Sequence, residues 1–268
     1  MRNLDDCPPI PLSATAPIVP AATVTLMGAG PGDPELLTVK AVRALQSAEL
    51  LLYDHLVSEE VLGLAPATAE RIYVGKEASH HTMPQEAICA LMVQLARQGR
   101  RVLRIKGGDG YIFGRGGEEA QVLAAAGVPF CVIPGITAAQ GAAASCGIPL
   151  THRDHARALI LTTGHLKENR QVDLDWTMLA RPQQTVVIYM GLGTLPIICE
   201  QLIAHGLSAS TPAALIERAT MPEQRCLTGA LGDLPAIAKS LGAKPPTLIV
   251  IGDVVSLHAT LAPAQIRA

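Results

Sequence analysis

The sequence Thr23-Val-Thr-Leu-Met-Gly-Ala-Gly-Pro-Gly-Asp-Pro34 joins a short apolar run to a glycine loop. Similar runs recur along the first half of the chain and alternate with segments that have helical spacing. They span Leu50–Tyr53, Arg71–Val74, Val102–Ile105 and Pro129–Ile133. Short continuous apolar runs between helices are typical of a parallel sheet that is covered on both faces. The pattern therefore predicts an α/β fold.

The second half repeats this alternation with different loops, so we predict a second α/β domain. Its apolar runs span Ala158–Thr162, Thr185–Tyr189, Ala213–Ile216, Gln224–Thr228 and Thr247–Ile251. A small, alanine-rich segment separates the halves. We place a flexible tail at 1–21, the N-terminal domain at 22–136, a linker at 137–152 and the C-terminal domain at 153–260.

One helix in the first half has an especially clear pattern. Thr82 and Gln85 resemble a capping box at its start, the apolar residues that follow recur at helical spacing, and Gly99 ends it.

Composition excludes several classes of protein. Hydrophobic residues make up 49% of the 268 residues and charged residues 16%, which excludes a wholly disordered chain. The net charge of −2 and the aromatic content of 3% argue against nucleic-acid binding. No apolar run reaches the roughly 18 residues of a membrane span, and residues 1–21 do not resemble a secretion signal. We therefore expect a cytoplasmic protein without a membrane partner.

The cysteines and histidines do not predict a metal site. The six cysteines are scattered and show no CxxC spacing, so we expect free thiols. His80 and His81 are adjacent, and adjacent side chains diverge. We expect no metal.

Unusual residues follow the ends of the predicted strands. Asp54, Lys76, Gly107-Gly-Asp109 and Pro134-Gly135 each begin within two residues of the end of an apolar run. Ligands bind at the carboxyl ends of strands in open α/β sheets. This edge is therefore the predicted site, where Asp54 and Lys76 form a plausible acid/base or substrate-binding pair.

The first glycine loop resembles a dinucleotide-binding motif in part. The third glycine of that motif is replaced by Asp33, and Pro31 removes a backbone N–H that could face a diphosphate. A ligand without a diphosphate fits better, and an NAD-dependent dehydrogenase stays a disfavoured alternative.

The segment Lys106–Glu119 contains six glycines within fourteen residues. Glycine allows close backbone approach and positive φ at an entropic cost. Arg115 in this loop is a candidate for binding carboxylates. For Glu118 and Glu119 we favour a role in complementing the N-terminus of a helix.

Several long motifs occur in an order that resembles the tetrapyrrole methylase family, and most of all its members that methylate uroporphyrinogen III. The motifs are Gly28-Ala-Gly-Pro-Gly-Asp-Pro34, Gly107-Gly-Asp109, Phe113-Gly-Arg-Gly-Gly-Glu-Glu119, Pro134-Gly-Ile-Thr137 and Gly147-Ile-Pro-Leu-Thr-His-Arg-Asp154. The similarity extends from about residue 22 to 258.

The resemblance implies two α/β domains of the tetrapyrrole methylase type, with the active site in the cleft between them, and a homodimer. The implied cofactor is S-adenosylmethionine, which leaves as S-adenosylhomocysteine. The implied substrate is uroporphyrinogen III, methylated at C2 and C7 to give precorrin-2 via precorrin-1. The product would feed sirohaem, cobalamin or haem d1 biosynthesis.

The resemblance also assigns individual residues by position. Asp54 matches a proton acceptor and Lys76 a proton donor. We add Arg115 to the predicted catalytic residues, as a candidate for positioning the substrate by pairing with its carboxylates. Arg115, Glu118 and Met190 match positions around the macrocycle. The cofactor positions are Pro31, Gly107, Gly108, Asp109, Ile112, Thr137, Ala138, Met190 and Ala219.

The chain departs from the family pattern at Gly110, Ala138 and Ala219, where proline, serine and glycine are common. Two further alternatives stay open. One is a methylase that acts on a later precorrin, and the other is a non-catalytic tetrapyrrole carrier.

Overall fold

A computed structural model describes residues 23–75, 83–165 and 172–262. The predicted tail, Lys76, and the His80-His81 pair lie outside these ranges. Among the helices of the described residues, none combines the length and apolarity needed to cross a membrane.

The first sheet contains five parallel strands in the order β3-β2-β4-β1-β5. Apolar clusters cover both of its faces, so the predicted covered parallel sheet is confirmed. The strands are β1 Val24–Gly28, β2 Leu50–Tyr53, β3 Glu70–Tyr73, β4 Val102–Lys106 and β5 Phe130–Ile133.

Helices follow the strands of this half, and all but the last of them pack on the first sheet. They are α1 Val39–Gln46, α2 Glu59–Leu62, α3 Gln85–Arg97, α4 Gly116–Ala125 and α5 Ala138–Cys146. The predicted capping box of α3 is wrong in its detail. Pro84 is the N-cap residue and makes no side-chain cap hydrogen bond. The side-chain amide of Gln85 does not bond back to the N-cap residue and donates instead to Glu119. Thr82 lies outside the described residues.

The second sheet has the order β6-β7-β10-β8-β9 and is mixed. Strands β6 and β7 are parallel, whereas β10 runs antiparallel to both of its neighbours and β8 pairs with β9 as antiparallel strands. The second half is therefore α/β, as predicted, and its sheet differs from the first in being mixed. The connection between β8 and β9 is too short for a crossover, so it makes a hairpin.

The bounds of this half are β6 Ala158–Thr163, α6 Trp176–Leu179, β7 Gln184–Tyr189, α7 Leu195–Ala204, β8 Pro212–Glu217, β9 Arg225–Ala230, α8 Leu234–Ser240, β10 Thr247–Ile251 and α9 His258–Leu261.

The segment that we predicted to be a linker contains α5. Ala139 and Ala142 of this helix are buried in one apolar cluster with Val187, Ala214 and Val250 of the second sheet. The N-terminus of α5 follows β5 of the first sheet, so the helix ties the two halves together. The exact domain boundaries stay a prediction.

Three loops meet at the carboxyl edge of the first sheet with almost no space between their backbones. A Cβ atom added to Gly28 would lie 2.6 Å from the nitrogen of Gly135 and 2.7 Å from the carbonyl oxygen of Gly108. A Cβ atom on Gly135 would overlap the same carbonyl. Only glycine fits this contact, which fixes the three loops relative to one another.

We expect Gly135→Ala to destabilise the protein by about 1–3 kcal/mol, because its methyl group would push apart backbone atoms that cannot move independently. The matched control is Gly117→Ala. Nothing lies within 4 Å of a Cβ atom on this helical glycine, so we expect stability to be equal or up to about 1 kcal/mol higher. Urea unfolding of both variants measures the difference, and equal stabilities would contradict the packing constraint.

Candidate functional site

The loops that follow β1, β4 and β5 contain most of the predicted cofactor residues, and they lie side by side. Gly30 and Gly108 exchange two backbone hydrogen bonds, of 3.1 and 2.6 Å. A Cβ atom on Gly108 would lie 3.4 Å from the nitrogen of Ala138, at the start of α5. The structure therefore brings Gly107, Gly108 and Asp109 next to Thr137 and Ala138.

Asp109 fastens two of these loops. Its Oδ1 accepts a hydrogen bond from the Tyr111 amide at 2.8 Å, and its Oδ2 accepts one from the Gly135 amide at 3.0 Å. The carboxylate thus shapes the loop that also contains Ile112, whose amide donates to the Asp109 carbonyl at 3.2 Å. A contact of Asp109 with the cofactor stays a prediction.

Tyr189, at the end of β7, connects the second half to the start of α5. Its hydroxyl lies 2.6 Å from Thr137 Oγ1 and accepts a hydrogen bond from the Ala139 amide at 3.0 Å. The ring contacts that of Phe113, with centroids 4.9 Å apart. Met190 follows directly and is 54% exposed. We did not predict Tyr189, although a tyrosine at the carboxyl end of an apolar strand marks the same edge.

The loop after β8 meets the loop after β1. The Asp33 amide donates to Thr220 Oγ1 at 3.1 Å, and a Cβ atom on Gly32 would lie 3.5 Å from the carbonyl oxygen of Ala219. Ala219 and Pro31 are therefore brought to one place, and segments from both halves surround it.

Left-handed backbone is concentrated in these loops. Non-glycine residues rarely have positive φ, and such strain is common at functional sites. Among the described residues, five of the six that do are Phe113, Arg115, Met190, Arg218 and Thr220, and the sixth is Gln183. The clustering marks the same region as the motifs.

Asp54 follows β2 and sits at the end of a network of charges that reaches into the sheet. Its Oδ1 accepts from the Leu56 amide at 3.2 Å, and its Oδ2 accepts from Arg104 Nη2 at 3.2 Å. Glu119 Oε1 accepts from Arg104 Nε at 3.2 Å and from Lys106 Nζ at 3.0 Å. We refer to Asp54, Arg104, Lys106 and Glu119 as the charge network.

We did not predict the inner part of this network from the sequence. Arg104 and Lys106 lie two residues apart in a central strand and are buried on one face, and Glu119 is fully buried. Glu119 lies in the first turn of α4, as predicted, and its carboxylate also points into the sheet, where it accepts from Arg104 and Lys106. The sequence did contain a signal for this network, namely two cations in the otherwise apolar strand β4. Buried charges need partners, so these cations indicated buried acidic residues nearby. Burial, followed by the nearby Arg104, lowers the pKa of Lys106.

Arg115 and Glu118 form a two-point ion pair at the start of α4. Arg115 Nε and Nη2 donate to the two carboxylate oxygens of Glu118 at 2.9 and 2.7 Å. The hydrogen bond from Arg115 lowers the pKa of Glu118. Both side chains are about half exposed, so the fixed guanidinium still faces solvent.

The converging loops suit a ligand that is held by backbone groups and small side chains. Glycine-rich loops let a ligand approach the backbone closely, and Pro31 beside them is partly exposed. This set fits S-adenosylmethionine, which has an adenosine and an amino-acid part and no diphosphate. Among the described residues there is no group of three or more histidine, cysteine or acidic side chains that could hold a metal ion.

Comparisons with known proteins identify the fold. The family model described as Tetrapyrrole (Corrin/Porphyrin) Methylases matches residues 23–235. The chain belongs to the tetrapyrrole methylase family. Its fold is that of a methyltransferase, and the methyl donor of the family is S-adenosylmethionine.

Two sets of relatives refine this result. Siroheme synthase of Nitrosospira multiformis is 57% identical over 239 residues, which cover 89% of this chain and 50% of that protein. The chain therefore spans about half the length of the curated relatives that it matches. Uroporphyrin-III-C-methyltransferase of Thermus thermophilus is 41% identical, with a TM-score of 0.75 over 90% of this chain and 96% of that one. A second structure of that Thermus enzyme is complexed with S-adenosylhomocysteine and has a TM-score of 0.74.

We expect Tyr189→Phe to lower the free energy of unfolding by about 1–3 kcal/mol, because the buried Ala139 amide would lose its acceptor. Tyr111→Phe is the control, since Tyr111 is 54% exposed. It should change stability by less than about 0.5 kcal/mol. Chemical denaturation measures the free energy of unfolding of both variants. A Tyr189→Phe variant as stable as the wild type would show that the hydroxyl does not join the halves.

Proposed function

We propose that this chain transfers methyl groups from S-adenosylmethionine to C2 and C7 of uroporphyrinogen III, giving precorrin-2 via precorrin-1. The observation that carries the proposal is the Arg115–Glu118 pair beside exposed apolar side chains at the loops of the cofactor site. Phe113 and Met190 are 38% and 54% exposed, although both are large and apolar. A flat macrocycle with carboxylates around its rim matches an apolar surface with a fixed guanidinium at its border.

The residues proposed to hold the cofactor are Pro31, Gly107, Gly108, Asp109, Ile112, Thr137, Ala138, Met190 and Ala219. When bound, S-adenosylmethionine supplies a methyl group that is already activated by its sulfonium. The protein's main task is then to align the reacting carbon with that methyl group, and orientation of this kind can be equivalent to about 10⁵–10⁸ M of reactant.

Asp54 is the proposed proton acceptor. Formation of the new carbon–carbon bond leaves positive charge on the macrocycle, which a proton loss relieves. The Asp54 carboxylate is held by Arg104 and by the Leu56 amide, and its side chain is 19% exposed at the edge where the loops converge. Lys76, the proposed proton donor, lies outside the described residues.

Arg115 is proposed to pair with carboxylates of the substrate, and Glu118 to keep the guanidinium in place. Met190 completes the set of residues proposed to lie around the macrocycle. Because the whole chain has a net charge of −2, attraction of an acidic substrate must come from local groups such as these.

The relatives favour sirohaem biosynthesis as the pathway, because the curated proteins at 54–57% identity are siroheme synthases. Cobalamin and haem d1 biosynthesis use the same early product and remain part of the proposal. A homodimer and a cytoplasmic location belong to it as well.

Anaerobic incubation of the protein with S-adenosylmethionine and uroporphyrinogen III tests the function by mass spectrometry. We expect a product that has gained two methyl groups. No added methyl, with S-adenosylhomocysteine binding intact by calorimetry, would favour a later precorrin as substrate. A cobalt precorrin-4 methyltransferase with 28% identity and a TM-score of 0.76 shows that this fold is compatible with that outcome.

We expect Arg115→Ala to raise KM for uroporphyrinogen III at least about tenfold, the loss of one charge-assisted contact. S-adenosylhomocysteine binding should not change. Arg101→Ala is the matched control, because Arg101 is also an exposed arginine in an ion pair, with Glu49. Steady-state kinetics of both variants would reject the role of Arg115 if the two gave the same KM.

We expect Asp54→Asn to lower kcat by about 10²–10⁴, the usual contribution of a general base, with little change in KM. Single-turnover experiments measure the rate of methyl transfer by the variant. A wild-type rate at every pH would exclude Asp54 as the base.

A further inference from the structure

Glu119 concentrates three hydrogen-bond donors on one carboxylate oxygen. Gln85 Nε2, Arg104 Nε and Lys106 Nζ lie 3.1, 3.2 and 3.0 Å from Oε1. These donors come from α3 and β4, whereas Glu119 itself belongs to α4. The carboxylate therefore joins two helices to the central part of the first sheet.

Arg104 connects Glu119 to Asp54 at the edge of the sheet. Its Nε is held by Glu119, its Nη1 donates to the carbonyl oxygens of Leu52 and Ile105, at 3.4 and 2.9 Å, and its Nη2 donates to Asp54. A guanidinium is planar, so fixing two of its nitrogens also fixes the direction of the third. The position of Asp54 Oδ2 thus depends on groups deep in the sheet.

We propose that Glu119 is a positioning residue for the reaction: it holds Arg104 in the orientation that fixes the carboxylate of Asp54. This inference rests on the proposed function, in which Asp54 accepts a proton. Glu119 does not itself reach the substrate, because its side chain is fully buried.

Stability alone does not account for this arrangement. Glu119 Oε2 is buried and has no hydrogen-bond partner among the described residues. Leaving such an atom unpaired is costly, and buried ion pairs are often no more stable than apolar residues of similar size. Burial, more than any other cause, also lowers the pKa of Lys106, which reflects the cost of enclosing that ammonium. Because the network is costly to bury and ends at Asp54, a role in fixing the position of the Asp54 carboxylate explains it better than a role in stability.

Two double variants separate geometry from charge balance. Lys106→Met with Glu119→Met removes one cation and one anion, and it leaves Arg104 and Asp54 as a neutral pair. Lys106→Met with Glu119→Gln has the same charge balance but retains an oxygen that can accept from Arg104 Nε. Since both doubles avoid an uncompensated buried charge, we expect both to fold.

The measurements are thermal unfolding, S-adenosylhomocysteine binding by calorimetry, kcat and KM for methyl transfer, and the crystallographic distance between Arg104 Nη2 and Asp54 Oδ2. We call Lys106→Met with Glu119→Met the Met/Met variant and Lys106→Met with Glu119→Gln the Met/Gln variant. For the Met/Met variant we expect near-normal S-adenosylhomocysteine binding and KM and a longer Arg104–Asp54 distance. Its kcat should fall about tenfold or more, since a misplacement of about 1 Å can reduce a rate up to about 100-fold. The Met/Gln variant should recover most of the rate and the distance.

A Met/Met variant with wild-type kcat and distance would overturn the positioning role, as would a Met/Gln variant that loses as much rate as Met/Met. Wild-type protein that binds S-adenosylhomocysteine but transfers no methyl group would instead overturn the proposed function, and the positioning role with it. The two failures are therefore distinguished by the wild-type reaction.

Discussion

At the carboxyl edge of the first sheet, the backbones of Gly28, Gly108 and Gly135 approach so closely that a Cβ atom on Gly28 or on Gly135 would have no space. The loops after β1, β4 and β5 are consequently fixed to one another before any side chain contributes. Asp109 strengthens the contact by bonding the Gly135 amide. The contacts of the second half depend on this constraint, because Thr220 bonds the loop after β1 and Tyr189 bonds the start of α5, which follows β5.

The second half completes the site through a small number of polar contacts. Tyr189 bonds the start of α5, and Thr220 accepts from the Asp33 amide. Packing of α5 against the second sheet supports both contacts. The two halves therefore meet at the loops that follow β1 and β5, although their sheets differ, one being parallel and the other mixed.

The charge network links the interior of the first sheet to Asp54 at its edge. Arg104, Lys106 and Glu119 lie in the interior, where charges are costly unless they are paired and hydrogen-bonded. Asp54 is the member that approaches solvent. By contrast, Arg115 and Glu118 are exposed, so their pairing adds little to stability and is better suited to holding one charged group in place for a ligand.

The sequence by itself determined the alternation of strands and helices, the loops that form the candidate site, and the family, because apolar periodicity and glycine motifs are local features of a chain. It could not determine the antiparallel pairing of β8, β9 and β10, since strand direction depends on which strands become neighbours. Nor could it determine the partners of Glu119, which lie 34, 15 and 13 residues away. Those contacts exist only once α3, β4 and α4 are packed, because a buried charge is paired by neighbours in space rather than in sequence.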